Sequence, residues 1–144
     1  MLKSMWGINI AVKDLDKAVE RYEKLLGVKP MITSDPKNAA FPGITAASFA
    51  FRGFTINLMT SSDSNNPVGR FLEKQGEGIL LVSIESDDID ADVEGLKSKE
   101  VPFFFQENVS GGYGKVNFIP ASTMNGVQWE ILQPPQEWKD RRNG

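Results

Sequence analysis

The chain has 144 residues, 40% of them hydrophobic and 24% charged, which is the balance of one ordinary globular domain. Cysteine and histidine are both absent, so disulfides, thiolate catalysis, Cys- or His-ligated metal and the Ser-His and Cys-His nucleophile pairs are excluded. A net charge of −3 argues against nucleic acid or an anionic membrane as partner, and with no apolar run long enough to span a bilayer the cytoplasm is the expected location.

In chain order, Gly7 to Val12 alternates so that Ile8, Ile10 and Val12 share one strand face. Asp14 is placed to cap a helix with Leu15, Val19, Tyr22 and Leu26 on its inner stripe and Gly27 as its stop. Residues 28–45, with Pro30, Pro36, Pro42 and Gly43, read as strand fragments joined by a loop. Ser48 to Thr60 reads as two strands around an Arg52-Gly53 turn. Asn66-Pro67 starts a short helix that turns Val68, Phe71 and Leu72 inward. The pattern then restarts. Val82 and Ile84 alternate with Ser83 and Glu85, and Asp88 caps a helix with Ile89, Val93 and Leu96 inside. Val101 to Glu107 reads as a strand whose Phe103, Phe104 and Phe105 point to alternate sides. Gly111 to Gly114 is a hairpin turn and not a phosphate cradle, because it feeds a strand and not a helix. A last strand ends at Pro134-Pro135, and the basic cluster from Lys139 to Arg142 reads as part of a solvated polar tail, with a phosphate contact as the alternative.

These elements form a repeat. Asp14 and Asp88 lie 74 positions apart, as do Leu15 and Ile89, Val19 and Val93, Gly7 and Leu81, and Ile10 and Ile84. An offset of 73 relates Val28 to Val101, Asn57 to Glu130 and Leu58 to Ile131. The expected fold is α+β, with two paired βαβββ modules forming a curved mixed-sheet cup. A single domain at 1–144 then divides into a first module at 5–60, a linker with a short helix at 61–78, a second module at 79–134 and a polar tail at 135–144. Strand parity puts Ile8, Ile10, Val12, Ile56, Leu58, Val82, Ile84, Trp129 and Ile131 on the helix-covered face. The opposite face mixes Asn9, Asn57, Ser83, Glu85, Gln128 and Glu130 with Ala11, Met59, Leu81 and Leu132, which suits a partly wet ligand cup.

Three stretches, Ile8 to Val28, Asn66 to Ile79 and Gly114 to Pro134, carry a family likeness in order and spacing. They resemble the vicinal oxygen chelate superfamily of glyoxalases, bleomycin-resistance proteins and extradiol dioxygenases, and within it the methylmalonyl-CoA epimerase family. The resemblance implies a homodimer and a divalent metal held by four cup residues. Two of these are usually histidines on the first strand of each half, and two are Gln or Glu on the last strand of each half. Those positions fall here on Gly7, Leu81, Asn57 and Glu130, so only Glu130 keeps a typical ligand. One carboxylate and one amide fall short of a catalytic metal site, and neither metal nor any other cofactor is expected.

The resulting function is a metal-independent small-molecule-binding protein, with Asn9, Asn57, Ser83, Glu85, Gln128 and Glu130 as ligand-binding residues. One alternative is an isomerase or lyase that uses Glu130 as acid or base. It would need an electrophile in place of the metal, for which Arg52, Lys115 and Tyr113 are the candidates. Another is a non-catalytic partner-binding module with a vestigial cup. Glu130 reads either as a working carboxylate of raised pKa or as one hydrogen-bonded to Asn57 or Gln128. Glu85 reads as a second acid or a charge at the rim, and the acidic lining favours a neutral or cationic ligand over a CoA ester.

Overall fold

The computed structural model describes residues 1–34 and 43–143. The first half runs β1 (Leu2–Ala11), α1 (Leu15–Leu26), β2 (Ile32–Ser34), β3 (Ile44–Phe51) and β4 (Phe54–Ser61). After α2 (Pro67–Gln75), the second half runs β5 (Gly78–Ser86), α3 (Ile89–Ser98), β6 (Val109–Gly111), β7 (Gly114–Ile119) and β8 (Trp129–Gln133). The chain then forms α4 (Gln136–Asn143). The loop expected around Pro36 and Pro42 lies outside the described residues.

Local chemistry sets most of these boundaries. The Asp14 carboxylate accepts the Lys17 amide and Gly27 closes α1 in the left-handed region, with φ of 72°. Asp88 caps α3 through the Ala91 amide, and Asn66 caps α2 through the Gly69 amide ahead of Pro67. Arg52 and Gly53 both have positive φ, which is the two-residue turn that matches the twist of the β3–β4 hairpin.

All eight described strands form one sheet in the order β2-β3-β4-β1-β5-β8-β7-β6. Within each half the first strand runs parallel to the last, β1 beside β4 and β5 beside β8. The halves join where β1 meets β5 antiparallel, pairing Gly7 with Ser83 and Asn9 with Leu81. This register is what a twofold relation at an offset of 74 requires, since Gly7 corresponds to Leu81 and Asn9 to Ser83. The repeat read from the sequence is therefore a spatial pseudo-twofold between two central strands.

One sheet face is covered by α1 and α3. Leu15, Val19, Tyr22 and Leu26 pack on Val12, Phe49, Leu58 and Ile56, and Ile89 and Val93 pack on Ile119, Ile131, Ile84 and Trp129. Each fully buried aliphatic or phenyl group among them stabilises the fold by roughly 1.5–3 kcal/mol. The opposite, concave face is bounded at its two ends by the other helices. At one end Val68, Phe71 and Leu72 of α2 pack with Ala11, Met59 and Leu81. At the other, Trp138 of α4 joins Trp6, Val116 and Leu132. A register shift between Met5 and Gly7 turns Trp6 into this concave cluster.

Two segments differ from the sequence reading. Val101 to Glu107 is not a strand. Its backbone is held by the buried Asn117 side chain, which accepts from the Phe105 amide at 3.2 Å and donates to the Phe105 carbonyl at 3.0 Å. Phe103 still enters the helix-side core, Phe105 meets Phe118 edge-on at 6.0 Å, and Phe104 is exposed. Residues 136–143, read as solvated tail, are helix α4 and reach across the concave side to lie beside β3.

Candidate functional site

Five side chains cross the middle of the concave face in one hydrogen-bonded row. The Ser48 hydroxyl donates to Asn57 Oδ1 at 2.8 Å, and Asn57 Nδ2 donates to Asn9 Oδ1 at 2.9 Å. Asn9 Nδ2 donates to Ser83 Oγ at 2.8 Å, and Ser83 donates to Glu130 Oε1 at 2.6 Å. The row follows the strand register, since Ser48 is opposite Asn57, Asn57 opposite Asn9, and Ser83 opposite Glu130. Its central bond, Asn9 to Ser83, crosses the pseudo-twofold between β1 and β5. Every bond donates toward Glu130. A carboxylate is the only member of the row with no donor of its own, so its charge orders the other four.

Glu130 is half-buried at the end of this row, and its carboxyl is pushed up to about 7. Burial is the larger cause, and the Ser83 hydrogen bond acts against it. Tyr113 lies in the neighbouring concave cluster, and its phenol is raised first by burial and then by the charge on Glu130. Glu130 therefore changes charge near neutrality while the phenol keeps its proton.

Glu85 is neither a solvated rim charge nor part of the row. It is 1% exposed and sits among cations delivered by α4. Arg142 Nη2 lies 3.2 Å from Oε1 and Lys139 Nζ 3.6 Å from Oε2, with the Ser4 hydroxyl 3.2 Å from Oε1. The Arg142 guanidinium stands over the Trp6 ring, 4.2 Å from its centroid. Gln128 is half-buried ahead of β8 and fixes Val82 through its backbone carbonyl, at 3.0 Å. No side-chain hydrogen bond joins it to the row among the described residues.

Of the electrophile candidates, Arg52 is exposed at the β3–β4 turn and Lys115 pairs with Asp90 at 2.6 Å on the helix side. Only Tyr113 reaches the concave face. Sequence reasoning missed Ser48, Trp6 and Arg142. Ser48 was legible once β3 was aligned with Asn57. Arg142 was signalled by the basic cluster it closes and by Trp138 and Arg142 sharing one helical face at i and i+4.

The residues present do not fit a divalent cation. Position 7 has no space, because a Cβ there would overlap the Thr55 carbonyl oxygen and hydroxyl. The Thr55 hydroxyl is tied to the Trp6 carbonyl at 3.0 Å. Leu81 is apolar, 7% exposed and packed with Ala11, Ile44 and Val68. The Asn57 oxygen already accepts from Ser48. Among the described residues no three acidic side chains converge as a metal site.

Residues 8–118 match the family described as the Glyoxalase/Bleomycin resistance protein/Dioxygenase superfamily. The chain belongs to this superfamily. Among its members the chain is similar to the mitochondrial methylmalonyl-CoA epimerase of Bos taurus, with 30% identity over 128 residues that cover 88% of this chain and 71% of the relative. The crystal structure of methylmalonyl-CoA epimerase from Mycobacterium tuberculosis superposes with a TM-score of 0.83 at 28% identity, covering 96% of this chain and 93% of that one. A methylmalonyl-CoA epimerase in complex with methylmalonyl-CoA and NH4+ superposes at 0.79 with 25% identity, covering 93% and 96%. Glyoxalase-like architecture and epimerase likeness thus extend over nearly the whole chain. No helix among the described residues is long and apolar enough to cross a membrane.

Proposed function

We propose that this superfamily member binds a small organic molecule in its cup without the metal ion the superfamily uses. The observation that carries this reading is the row itself. Asn57 and Glu130, two of the four metal-ligand positions, are spanned by Asn9 and Ser83 and joined into one hydrogen-bonded unit. The row offers an organic ligand a carboxyl that titrates near neutrality, within walls formed by Trp6, Phe118 and Leu132. The acidic lining no longer disfavours a CoA ester, because Glu85 is neutralised by Arg142 and Lys139. Calorimetric titration with methylmalonyl-CoA and other acyl-CoA esters tests the reading. Saturable binding in EDTA, unchanged by added cobalt and weakened in Asn57→Ala, is expected. Binding that appears only with the metal would sink it.

A second reading, an isomerase working by proton transfer, is favoured by the neutral-range Glu130 and by the epimerase relatives. As carboxylate, Glu130 takes a proton from a carbon made acidic by its carbonyl neighbours. The protonated Tyr113 supplies an acid at the same end of the cup. Exchange of the substrate α-proton with deuterated water would rise with a midpoint near pH 7 and be lost in Glu130→Gln. Exchange that survives that variant removes Glu130 from the chemistry.

A further inference from the structure

Helix α4 brings into the concave face a guanidinium that is incompletely bonded among the described residues. The Arg142 side chain is 10% exposed. Nη2 is paired with Glu85 at 3.2 Å and Nε donates to Asn143 Oδ1 at 3.3 Å, but Nη1 is buried without a hydrogen-bond partner among the described residues. Buried donors are almost always satisfied, and a charged one left alone is costly, so such an atom marks a place where something else binds. The surrounding charge points the same way. Glu85 is one carboxylate between two cations, Arg142 and Lys139. Lys139 also reaches Asp87, but Asp87 is exposed at the rim and has Lys3 beside it. The inner group thus carries a surplus positive charge.

We infer that Arg142 is the anion-recognition residue of the cup, and that the ligand carries a carboxylate or an equivalent single oxyanion that accepts from Nη1. The inference rests on the cup being the ligand site. Trp6 fixes the plane of the guanidinium from one side and Glu85 holds one edge, leaving the Nη1 edge for the ligand. The site lies next to the polar row, since Glu85 is the next residue on the same strand face after Ser83, and Leu132 the next after Glu130. A ligand with its anion at Arg142 therefore places a neighbouring carbon or hydroxyl toward Glu130. No residue of α4 is fully buried, so the anion is admitted by a shift of this helix that keeps the Glu85 pair.

The test uses malonate and its neutral diamide as probes, with the full chain, following thermal stability and tryptophan fluorescence. Malonate is expected to raise the melting temperature and perturb the fluorescence, with no effect from malonamide. Arg142→Gln should weaken malonate binding about tenfold or more, and Arg142→Lys should recover part of it. Circular dichroism of both variants reports folding separately. No response to malonate, an equal response to the diamide, or undiminished binding in Arg142→Gln would overturn the assignment. Glu130→Gln separates this failure from that of the cup. If it weakens binding while Arg142→Gln does not, the cup stands and Arg142 is wrong; if neither matters, both are lost.

Discussion

A carboxyl held near 7 inside the fold has a measurable consequence at Glu130. Its ordinary value is 4.5, so between about 4.5 and 7 the folded chain binds a proton that the unfolded chain releases. Stability contributed by that proton is complete below 4.5 and falls away as pH rises through 7. Glu130→Gln keeps an oxygen for the Ser83 hydroxyl and removes the titration. The variant should be more stable than the wild type by on the order of 1 to 2 kcal/mol above pH 7, after allowance for partial exposure, with the gain vanishing near pH 4.5 in urea unfolding. A flat difference across that range would refute the burial of the charge. Strand parity was enough to place Glu130, Asn57, Asn9 and Ser83 on one face from sequence. It could not say that Ser83, and not Asn57 or Gln128, would hold the carboxylate, because that choice depends on the cross-strand register.

At the scale of elements, α4 is the part that sequence did not disclose. It carries one aromatic anchor and otherwise polar residues, and its helix face matters only because Glu85 is buried beneath it. Hydrophobic periodicity finds helices that bury apolar stripes and is blind to one held by ion pairs. Replacing both cationic heads, in Lys139→Met with Arg142→Met, would leave Glu85 beneath α4 with Ser4 as its remaining described partner. The loss should be about 3–5 kcal/mol in denaturant unfolding, and adding Glu85→Gln to that variant should restore part of it. The remaining helices were legible because their caps, Asp14, Asn66 and Asp88, carry local signals. Val101 to Glu107 was misread as strand because the Asn117 amide, sixteen positions after Val101, supplies the backbone partners a strand would have used.

Over the whole molecule, the ladder between the modules, β1 against β5, registers as many pairs as the β3–β4 hairpin inside the first half, so neither half has a complete sheet without the other. Urea unfolding should be a single transition by fluorescence and circular dichroism alike. Phe49→Ala in the first half and Ile131→Ala in the second should each lower its midpoint without splitting it. Two resolved transitions would mean the halves are autonomous. The same junction has an effect on recognition. Equivalent backbones supply amides on one flank, at Asn57 and Asn9, and a hydroxyl and an acid on the other, at Ser83 and Glu130. The frame is dyadic while its lining is handed. Even a guest with two identical ends would meet a neutral amide at one and a titrating acid at the other, and so would settle in a single orientation, one per cup.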